Sequence, residues 1–401
     1  MKRGIQGQLR RQNVRGEPYS TFVPQPLPPK PELSLGSELH DLLEQANRAL
    51  GRLDGLTLLL PDRWLFLYFY VRKEAVLSSQ IEGTQSSLAE LLLFETEELP
   101  GVPFDDVQEV SRYVAALEHG LARLREGFPL SLRLIREIHG VLLGGGRGSE
   151  KTPGEFRKSQ NWVGGSRPGN AVYVPPAWEG VTGHMGDLEK FLHDTGGRTP
   201  TLIKAALSHV QFETIHPFQD GNGRLGRLLI TFLLCAENAL SEPLLYLSLH
   251  FKRNRERYYD LLQRVRLEGD WEEWLAFFLN GVLETADQAT GTARRILDLF
   301  EHDRSRLESL GRSAGSALRL HYLMRRHPLI SAARTSRELK LSPPTVGSAL
   351  RKLEDLGIIH EVTGRRRNRF FAYTEYFAIL NEGAEPIGRQ ETAPIATGGT
   401  T

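Results

Sequence analysis

Residues 216–227 read His-Pro-Phe-Gln-Asp-Gly-Asn-Gly-Arg-Leu-Gly-Arg, and this stretch determines how the rest of the chain is interpreted. An apolar run ending at Ile215 precedes it, and an apolar pattern with helical spacing follows it. Pro217 and the glycines interrupt the helical pattern between the two runs. The stretch therefore predicts a loop between two helices, with the second helix beginning near Gly223.

The centre of this loop has the composition of an anion site. Gly221-Asn222-Gly223 can turn backbone N–H groups towards an anion, because glycine tolerates positive φ. The helix that follows adds unpaired N–H donors and the positive end of its dipole. Arg224 and Arg227 are three residues apart, so both lie near its first turn and can hold phosphate oxygens in forked hydrogen bonds.

Two further residues of the loop supply chemistry that a phosphate-transfer site needs. Asp220 offers a hard oxygen ligand suited to Mg²⁺ shared with phosphates. His216 has an ordinary pKa near ~6.5, so it can accept a proton at neutral pH. A polar turn with arginines on a solvated face is the alternative, and it leaves the crowding of these groups unexplained.

The stretch resembles the signature of Fic-domain proteins, His-x-Phe-x-Asp/Glu-Gly-Asn-Gly-Arg-x-x-Arg, at all eight fixed positions. The resemblance implies transfer of AMP from ATP to a Ser, Thr or Tyr hydroxyl of a protein, with pyrophosphate leaving. It implies these roles: His216 as base, Asp220 as Mg²⁺ ligand, Gly221, Asn222 and Gly223 as cradle of the transferred phosphate, Arg224 at the leaving phosphates, and Arg227 at the γ-phosphate.

A second stretch lies at the predicted end of a helix, where Ser78-Ser-Gln-Ile-Glu82-Gly83 places a glycine in the stop position. A glutamate there opposes the helix dipole, and a solvent-facing side chain is the simple interpretation. The pattern Ser/Thr-x-x-x-Glu-Gly/Asn also resembles the inhibitory helix of Fic proteins. That resemblance implies that Glu82 pairs with Arg227 and blocks the productive position of the γ-phosphate.

Residues 144–181 are rich in turn-forming residues, and two short β-prone pieces flank a Gly/Pro/Asn loop. A hairpin is expected here, which corresponds to the flap of Fic proteins. The resemblance implies that its backbone docks an extended target segment by strand addition. Val172 and Tyr173 are candidates for the adenine pocket.

After the motif, a helical segment carries Asn254, Tyr258 and Tyr259. Fic proteins often have a tyrosine pair here that helps to wall the nucleotide base, so Asn254 and Tyr258 are candidate nucleotide-binding residues. Ordinary core positions are an equally good interpretation of the tyrosines.

Thr199-Pro200 predicts the start of the helix before the motif, with Thr199 as N-cap and Pro200 at the first helical position.

Composition limits the other classes of function. The chain has 401 residues, a net charge of +1 and a single cysteine, Cys235, which excludes a disulfide framework. No segment has the features of a secretory signal, and the apolar run Trp64–Val71 is too short to span a bilayer. A protein without a membrane segment, located in the cytoplasm, is therefore expected.

The fold class expected is mostly α, a Fic helical fold with a β-hairpin flap and a C-terminal winged helix. The predicted units are an extended or disordered arm (1–32), a helical region with the inhibitory helix (33–128), the Fic core (129–267), a helical connector (268–314), a winged helix-turn-helix (315–381) and a disordered tail (382–401).

The C-terminal unit resembles a winged helix-turn-helix. Thr335-Ser-Arg-Glu338 predicts a capping box, and Ser342-Pro343 predicts the start of the next helix. That second helix would present Thr345, Ser348, Arg351 and Lys352 to a DNA groove, and arginines in 364–369 would reach phosphates. A winged domain used for protein contacts or dimerisation is the alternative.

Three other functions stay open beside AMP transfer. The same pocket could remove AMP, with Glu82 orienting a water. The chain could be a DNA-binding regulator whose Fic core senses nucleotide, although an intact His216 argues against a purely sensory core. The loop does not exclude transfer of another phosphate-linked group. Expected partners are ATP, Mg²⁺ and a protein with an acceptor hydroxyl, including this chain itself; DNA and a second copy are open alternatives.

Overall fold

A computed structural model describes residues 2–14, 17–59, 63–95, 104–145, 148–194, 199–364 and 369–386. Helices dominate these ranges, as the sequence predicted. They are α1 (Ser37–Leu59), α2 (Arg63–Ile81), α3 (Leu88–Glu95), α4 (Phe104–Arg125), α5 (Leu132–Leu142), α6 (Val181–Leu192), α7 (Thr201–Ile215), α8 (Asn222–Ala236), α9 (Ser248–Arg253), α10 (Arg255–Glu268), α11 (Trp271–Glu308), α12 (Gly315–Arg326), α13 (Ala332–Leu339), α14 (Pro343–Asp355) and α15 (Thr374–Asn381).

The strands lie at the two ends of the described chain. β1 (Gly7–Val14) and β2 (Glu17–Pro24) form an antiparallel hairpin. β3 (Leu329–Ser331), β4 (Ile359–Glu361) and β5 (Phe370–Tyr373) form a small antiparallel sheet with β5 in the centre. Among the described helices, none combines the length and apolar composition that a bilayer crossing requires.

Helices α7 and α8 form the centre of the larger unit. Every residue of α7 after Thr201 is buried, and α8 is buried at most positions through Leu234. The 38-residue helix α11 runs behind them, and Trp274 donates from its indole Nε1 to the carbonyl of Ala206 in α7 at 3.0 Å. Residues 216–221 join α7 to α8, so the predicted loop is held by two fully packed helices.

Two predicted helix starts need correction. Helix α7 begins at Thr201 with Pro200 in the N-cap position, one residue later than expected. Helix α13 begins at Ala332, capped by Ser331, whose hydroxyl accepts from Arg334 N at 3.1 Å. Thr335 therefore lies inside that helix, where its hydroxyl donates to the Ser331 carbonyl at 2.9 Å. Thr199 and Thr335 are both residue types that favour the N-cap, but neither is the N-cap in the structure. Local sequence does not reveal the backbone conformation that decides where a helix begins.

The N-terminal arm is structured where it packs on the helical unit. Composition left an extended strap and a disordered arm as alternatives for residues 1–32, and the hairpin β1–β2 occupies much of this range. Phe22 is 2% exposed, and its backbone N–H donates to the Val174 carbonyl at 2.9 Å. Trp271 Nε1 donates to Gln6 Oε1 at 3.0 Å. The prolines that follow concealed this short strand pattern in the sequence.

The winged unit packs on the C-terminal half of α11. Tyr373 of β5 donates its hydroxyl to Asp303 Oδ2 of α11 at 2.9 Å, and His321 Nε2 of α12 lies 3.0 Å from that hydroxyl. All three residues are buried, so this polar contact has a fixed geometry. Helix α11 is therefore one continuous element that carries both the larger unit and the winged unit.

The first residues of the predicted disordered tail are docked on the larger unit. Gln80 of α2 donates to the Ala384 carbonyl at 3.0 Å, and Lys252 donates to the Gly383 carbonyl at 3.2 Å. Arg295 of α11 pairs with Glu382 at 2.7 Å. Disorder is thus wrong for residues 382–386, and residues 387–401 lie outside the described ranges.

Close packing of α4 on α8 predicts a specific effect of a side chain at Gly120. A Cβ at this glycine would lie 2.4 Å from the ring of Phe232 in α8. We expect Gly120→Ala to lower the free energy of unfolding by about 1–3 kcal/mol, because the aromatic ring is confined by the core. Urea unfolding followed by near-UV circular dichroism measures this change.

The matched control is Gly186→Ala, which adds the same methyl group inside helix α6. No atom lies within 4 Å of a Cβ at that position. Removing a helical glycine there should leave stability unchanged or raise it by up to about 1 kcal/mol. Equal effects of the two substitutions would contradict the packing described for α4 and α8.

Candidate active site

The loop at residues 216–221 turns through two left-handed residues. His216 ends α7 with φ 50° and donates its backbone N–H to the Phe212 carbonyl at 2.9 Å. Gly221 has φ 75° and precedes the first residue of α8, Asn222. A left-handed histidine costs about 1 kcal/mol relative to the ordinary helical conformation, so the surrounding structure must enforce it.

Asn222 enforces the loop rather than facing a ligand. Its Oδ1 accepts from Phe218 N at 2.9 Å, and its Nδ2 donates to the Phe218 carbonyl at 2.8 Å. Asn161 adds a second donor to the same carbonyl at 2.8 Å. Asn222 is 2% exposed. This corrects its predicted place in the anion cradle, because both ends of its amide are already used by the backbone.

Arg157 is a buried support that the sequence did not single out for a role. Its guanidinium donates to the carbonyls of His216 at 2.9 Å and Pro176 at 2.6 Å, and its backbone N–H donates to the Pro217 carbonyl at 2.9 Å. Burial is the main reason that the pKa of Arg157 falls to about 10, so the group stays charged. Its position in Gly-Glu-Phe-Arg157, which looks like Fic sequences, was the only available signal.

His139 of α5 supports the loop from the opposite side. Its Nδ1 accepts from Gly154 N at 2.8 Å, which leaves Nε2–H to donate to the Asp220 carbonyl at 3.1 Å. The ring stacks on Phe218 at 3.7 Å between centroids. Burial lowers the pKa of His139 to about 4, so it is neutral at pH 7. No local pattern in α5 distinguished this histidine from a core residue.

His216 has the protonation state of a general base. Burial is the largest cause that lowers its pKa to about 4, and the cations Arg157 and Arg266 lower it further. Its side chain is 18% exposed, so the imidazole borders the loop without being sealed in the core. The ring is therefore neutral at pH 7.

Arg227 is fixed by the turn that follows α2. Its Nε donates to Ser78 Oγ at 2.8 Å, and its Nη2 donates to the Ser78 carbonyl at 3.0 Å and to Glu82 Oε1 at 2.6 Å. The guanidinium is almost completely buried. The predicted contact of Glu82 with Arg227 is therefore present, and the structure adds the contacts of Ser78. Gly83 after Glu82 has φ 103°, which favours glycine.

The Glu82 carboxylate lies at the N-terminus of α8. A Cβ built on Gly223 would lie 2.3 Å from Glu82 Oε1, so the absence of a side chain leaves room for the carboxylate. Burial alone would raise the pKa of Glu82, but Arg227 and Arg224 outweigh it and the net shift is downward. An ionised carboxylate thus occupies the position where the helix terminus favours an anion.

Arg224 and Asp220 lie close to each other at the loop. Arg224 Nη1 is 2.8 Å from Glu109 Oε1 of α4, and its Nη2 is 3.8 Å from Asp220 Oδ1. Asp220 is 39% exposed in its side chain and accepts from Gly221 N at 2.6 Å. The Arg224 guanidinium therefore lies between the carboxylates of Glu109 and Asp220, and the Asp220 side chain is partly exposed to solvent.

The fit of Mg²⁺ to this site depends on one carboxylate. In the described ranges, no three residues of His, Cys, Asp or Glu come together as a complete metal site. Mg²⁺ usually keeps several waters and uses one or two carboxylates together with substrate phosphates. The accessible side chain of Asp220 beside an anion-binding helix terminus fits that mode of binding.

The flap is a minimal hairpin. Val163 N donates to the Tyr173 carbonyl at 2.8 Å and Tyr173 N to the Val163 carbonyl at 3.1 Å. Val172 is 73% exposed, whereas Tyr173 is buried, donates its hydroxyl to the Thr214 carbonyl at 2.6 Å and lies under Arg266. Tyr173 is therefore a wrong choice for the adenine pocket, because alternation along the strand turns it into the core.

The aromatic pair after the motif divides between core and surface. Tyr258 is 1% exposed, and its hydroxyl lies 2.8 Å from His209 Nε2. Tyr259 is 36% exposed, and burial followed by the nearby Glu82 raises its pKa. Tyr259 is thus the exposed member of the pair and Tyr258 the buried one, which agrees with the core position left open for the tyrosines. The Asn254 side chain donates to the His250 carbonyl at 3.0 Å, within its own helix junction.

Family comparisons agree with this architecture. Residues 40–122 match the model of the Fic/DOC family N-terminal region, and residues 129–234 match that of the Fic/DOC family. Residues 316–360 match winged helix-turn-helix DNA-binding domains. The chain is therefore a Fic-domain protein with a C-terminal winged helix-turn-helix.

Its curated relatives include the protein adenylyltransferase Fic of Aedes aegypti, which is 34% identical over 212 residues. The corresponding protein of Culex quinquefasciatus is 32% identical over 212 residues. Each match covers 52% of this chain and 39% of the relative, so the chain spans about two-fifths of the length of these relatives.

Two solved structures share the fold. A Fic family protein from Desulfovibrio desulfuricans G20 superposes with a TM-score of 0.57 at 21% identity, covering 86% of this chain and 98% of that one. Fic-1 from C. elegans gives a TM-score of 0.51 at 22% identity, covering 65% of this chain and 74% of that one. The likeness shows that this chain shares the fold of both proteins.

The bracing role of Asn222 predicts a stability effect. Asn222→Ala leaves the Phe218 backbone N–H buried without its partner, and an unsatisfied group of this kind costs about 1–3 kcal/mol. We expect the free energy of unfolding to fall by that amount in urea titrations. Asn254→Ala is the control, because its amide bonds only to its own helix junction, and a change within about 0.5 kcal/mol is expected. Equal losses would count against the bracing role.

Proposed function

We propose that this protein transfers AMP from ATP to a hydroxyl group of a protein. The observation that carries the proposal is the Glu82 carboxylate at the N-terminus of α8, 2.6 Å from Arg227 and beside a neutral His216. An anion already occupies the position that the fold prepares for one. The names of the relatives, protein adenylyltransferase Fic, support the same reaction.

In the proposed reaction, His216 removes the proton from the attacking hydroxyl. The hydroxyl oxygen forms a bond to the α-phosphorus, and the bond from that phosphorus to the β-phosphate oxygen breaks, so pyrophosphate leaves. A hydroxyl without a base is a weak nucleophile at pH 7. The depressed pKa of His216 keeps the imidazole neutral and ready, and the left-handed backbone directs it into the loop.

The loop and α8 would bind the phosphates of ATP. The backbone N–H groups of Gly221 and Gly223 and the dipole of α8 favour negative charge there. Arg224 would hold the leaving phosphates and Arg227 the γ-phosphate, through forked hydrogen bonds. Asp220 would hold Mg²⁺, which neutralises phosphate charge when it is bound. Asn222, Arg157 and His139 keep the loop in shape without touching the substrate.

Glu82 would inhibit the reaction in this conformation. Arg227 cannot offer Nη2 to a γ-phosphate while that nitrogen donates to Glu82, and two anions cannot share the site without repulsion. Ser78 accepts two hydrogen bonds from the same guanidinium and Glu82 accepts a third, so three hydrogen bonds hold Arg227 in the inhibited conformation. Release of Glu82 would free one of them for the nucleotide.

The inhibitory contact predicts that Glu82→Gly raises AMP transfer about 10- to 100-fold. A hydrogen bond between charged groups contributes about 1.5–3 kcal/mol, which ATP no longer has to displace. Transfer of label to protein from α-labelled ATP measures the rate, and γ-labelled ATP should give none. The control is Glu82→Gly with His216→Ala, which should lose roughly 10²–10⁴-fold because the base is absent.

Two outcomes would contradict parts of this scheme. An unchanged or lower rate in Glu82→Gly would remove the inhibitory role, and substantial transfer without His216 would remove its role as base. Release of AMP from a modified protein by wild type, but not by Glu82→Gly, would favour the reverse reaction with Glu82 orienting a water. Intact mass spectrometry reports both directions through gain or loss of one AMP.

We also propose that the winged unit binds DNA. The match to winged helix-turn-helix DNA-binding domains favours this, and α14 holds the place of the recognition helix. Arg351 of α14 is exposed, whereas Lys352 donates to the Ser313 carbonyl at 2.5 Å and is less available than predicted. The wing arginines at 365–367 lie outside the described residues.

DNA binding predicts a salt-dependent affinity that Arg351→Ala weakens. Fluorescence anisotropy with a duplex between 50 and 200 mM salt should show log affinity falling with log salt, and the substitution should reduce the slope by about 1 if Arg351 contacts a phosphate. Arg304→Ala removes the same charge from α11 and should leave the slope unchanged. No binding at low salt would contradict the proposal.

A further inference from the structure

Glu213 is a buried carboxylate to which the proposed reaction gives no role. It lies in the last turn of α7, is 7% exposed, and places Oε2 at 4.0 Å from Nδ1 of His216. Within the described part of the chain, neither Nδ1 of His216 nor Oε1 of Glu213 has a hydrogen-bond partner. Buried polar atoms without partners are rare and concentrate at functional sites, so this facing pair calls for an explanation.

Helix α8 leaves space for this carboxylate at one position. A Cβ built on Gly226 would lie 2.4 Å from Glu213 Oε1, so any larger residue there would displace the acid. The Gly226 carbonyl is itself 2.9 Å from Nδ1 of His209, which fixes the backbone beside the carboxylate. Gly226 of α8 therefore leaves room for the Glu213 carboxylate, in the same helix whose N-terminus forms the candidate anion site.

The charges around Glu213 connect its protonation to the inhibitory contact. Burial is the largest cause that raises its pKa, to about 7, and Glu82 raises it further, whereas Arg227 and Arg266 lower it. Loss of the Glu82 carboxylate removes one of the causes that keep Glu213 protonated. Glu213 is then more easily ionised in the same state in which the site is open for ATP.

We propose that Glu213 is a positioning residue whose carboxylate accepts a hydrogen bond from His216 Nδ1–H and leaves Nε2 to take the proton of the acceptor hydroxyl. The inference rests on the proposed function for its catalytic meaning. A shift of about 1 Å brings the two atoms to hydrogen-bond distance. When the hydroxyl O–H bond breaks and the proton moves to Nε2, the adjacent carboxylate stabilises the imidazolium.

Other groups also face the imidazole, and a test must separate their effects from the effect of the Glu213 carboxylate. Arg157 and Arg266 oppose its protonation, whereas Glu82 and the nearby backbone carbonyl of Glu213 favour it. If the carbonyl alone orients His216, the carboxylate is dispensable. Substitutions of the side chain distinguish the two, because they leave the carbonyl in place.

The kinetic test compares Glu213→Gln and Glu213→Ala, each combined with Glu82→Gly. Glutamine keeps the shape and a neutral acceptor, so we expect kcat to fall about 10-fold with glutamine and up to about 100-fold with alanine, a fraction of the base's whole contribution. KM for ATP should change less than about 2-fold, because Glu213 touches no phosphate. The acid limb of the kcat–pH profile should move to lower pH in both variants. The pKa of His216 falls when the carboxylate no longer stabilises the imidazolium.

Glu256→Gln in the same background is the control, since this acid is exposed on α10 and should leave kcat and the pH profile unchanged. Unchanged kcat and pH profile in Glu213→Ala would overturn the proposal, as would an effect confined to KM. Thermal melting of each variant identifies a loss of folded protein, and Glu213→Gln is retained as the variant closest to the native shape.

A spectroscopic readout does not depend on enzymatic activity. Long-range ¹H–¹⁵N spectra of the full chain with Glu82 present assign the His216 tautomer, with His216→Ala identifying its signals. Above pH 7, where the Glu213 carboxylate ionises, we expect the Nδ1–H tautomer in wild type and a mixture in Glu213→Ala. An unchanged tautomer would show that the carbonyl suffices and would overturn the role of Glu213. If Glu82→Gly has no AMP transfer, the proposed function fails while this measurement still decides the inference.

Discussion

The ion pair between Arg227 and Glu82 joins the two halves of the site. Arg227 is almost fully buried and has three hydrogen bonds to the end of α2, so α8 and α2 cannot move apart without leaving a buried charge unpaired. Removing the Glu82 carboxylate, whose side chain is 35% exposed, would leave the buried Arg227 guanidinium without its charge partner. The pair therefore holds the end of α2 against α8.

Rigid support of the loop is the second requirement, and backbone carbonyls provide most of it. The Arg157 guanidinium donates to the carbonyls of His216 and Pro176, and the Asn222 side-chain amide bonds to the backbone N–H and carbonyl of Phe218. These bonds hold a left-handed histidine that an isolated loop would avoid. The support comes from α5, the flap and α8 together, so the shape of the loop is a property of the whole helical unit.

The same helical unit carries the elements at both ends of the chain. The hairpin β1–β2 bonds to the flap through Phe22 and Val174, and residues 382–386 bond to α2 through Gln80. Gln80 also donates to the Ser86 carbonyl at 2.9 Å, in the segment just after Glu82. One buried amide thus links the C-terminal segment with the turn that carries the Glu82 carboxylate.

Sequence reasoning was most successful where chemistry depends on a short, contiguous motif. The loop between two helices and the winged unit follow from local spacing, because helix periodicity and glycine placement act within a few residues. The contact between Glu82 and Arg227 was expected only from the resemblance to Fic proteins, because the two residues are far apart in the sequence. It failed for Tyr173, whose side chain turns into the core, and for Thr199, which misses the cap by one position. For Tyr258 it left a core position open, and the side chain is buried. Arg157 and His139 could not be given roles, because their partners are remote in sequence.

The sequence by itself determined which groups meet at the loop, since the residues from His216 to Arg227 are covalent neighbours and must share one junction. Only the tertiary structure decided how these groups are used. It turned Asn222 to its own backbone, exposed Tyr259 in place of Tyr258, and brought Glu213 beside the imidazole. The physical reason is that burial and hydrogen-bond partners depend on which surfaces pack together, and packing is settled by contacts between residues far apart in the chain.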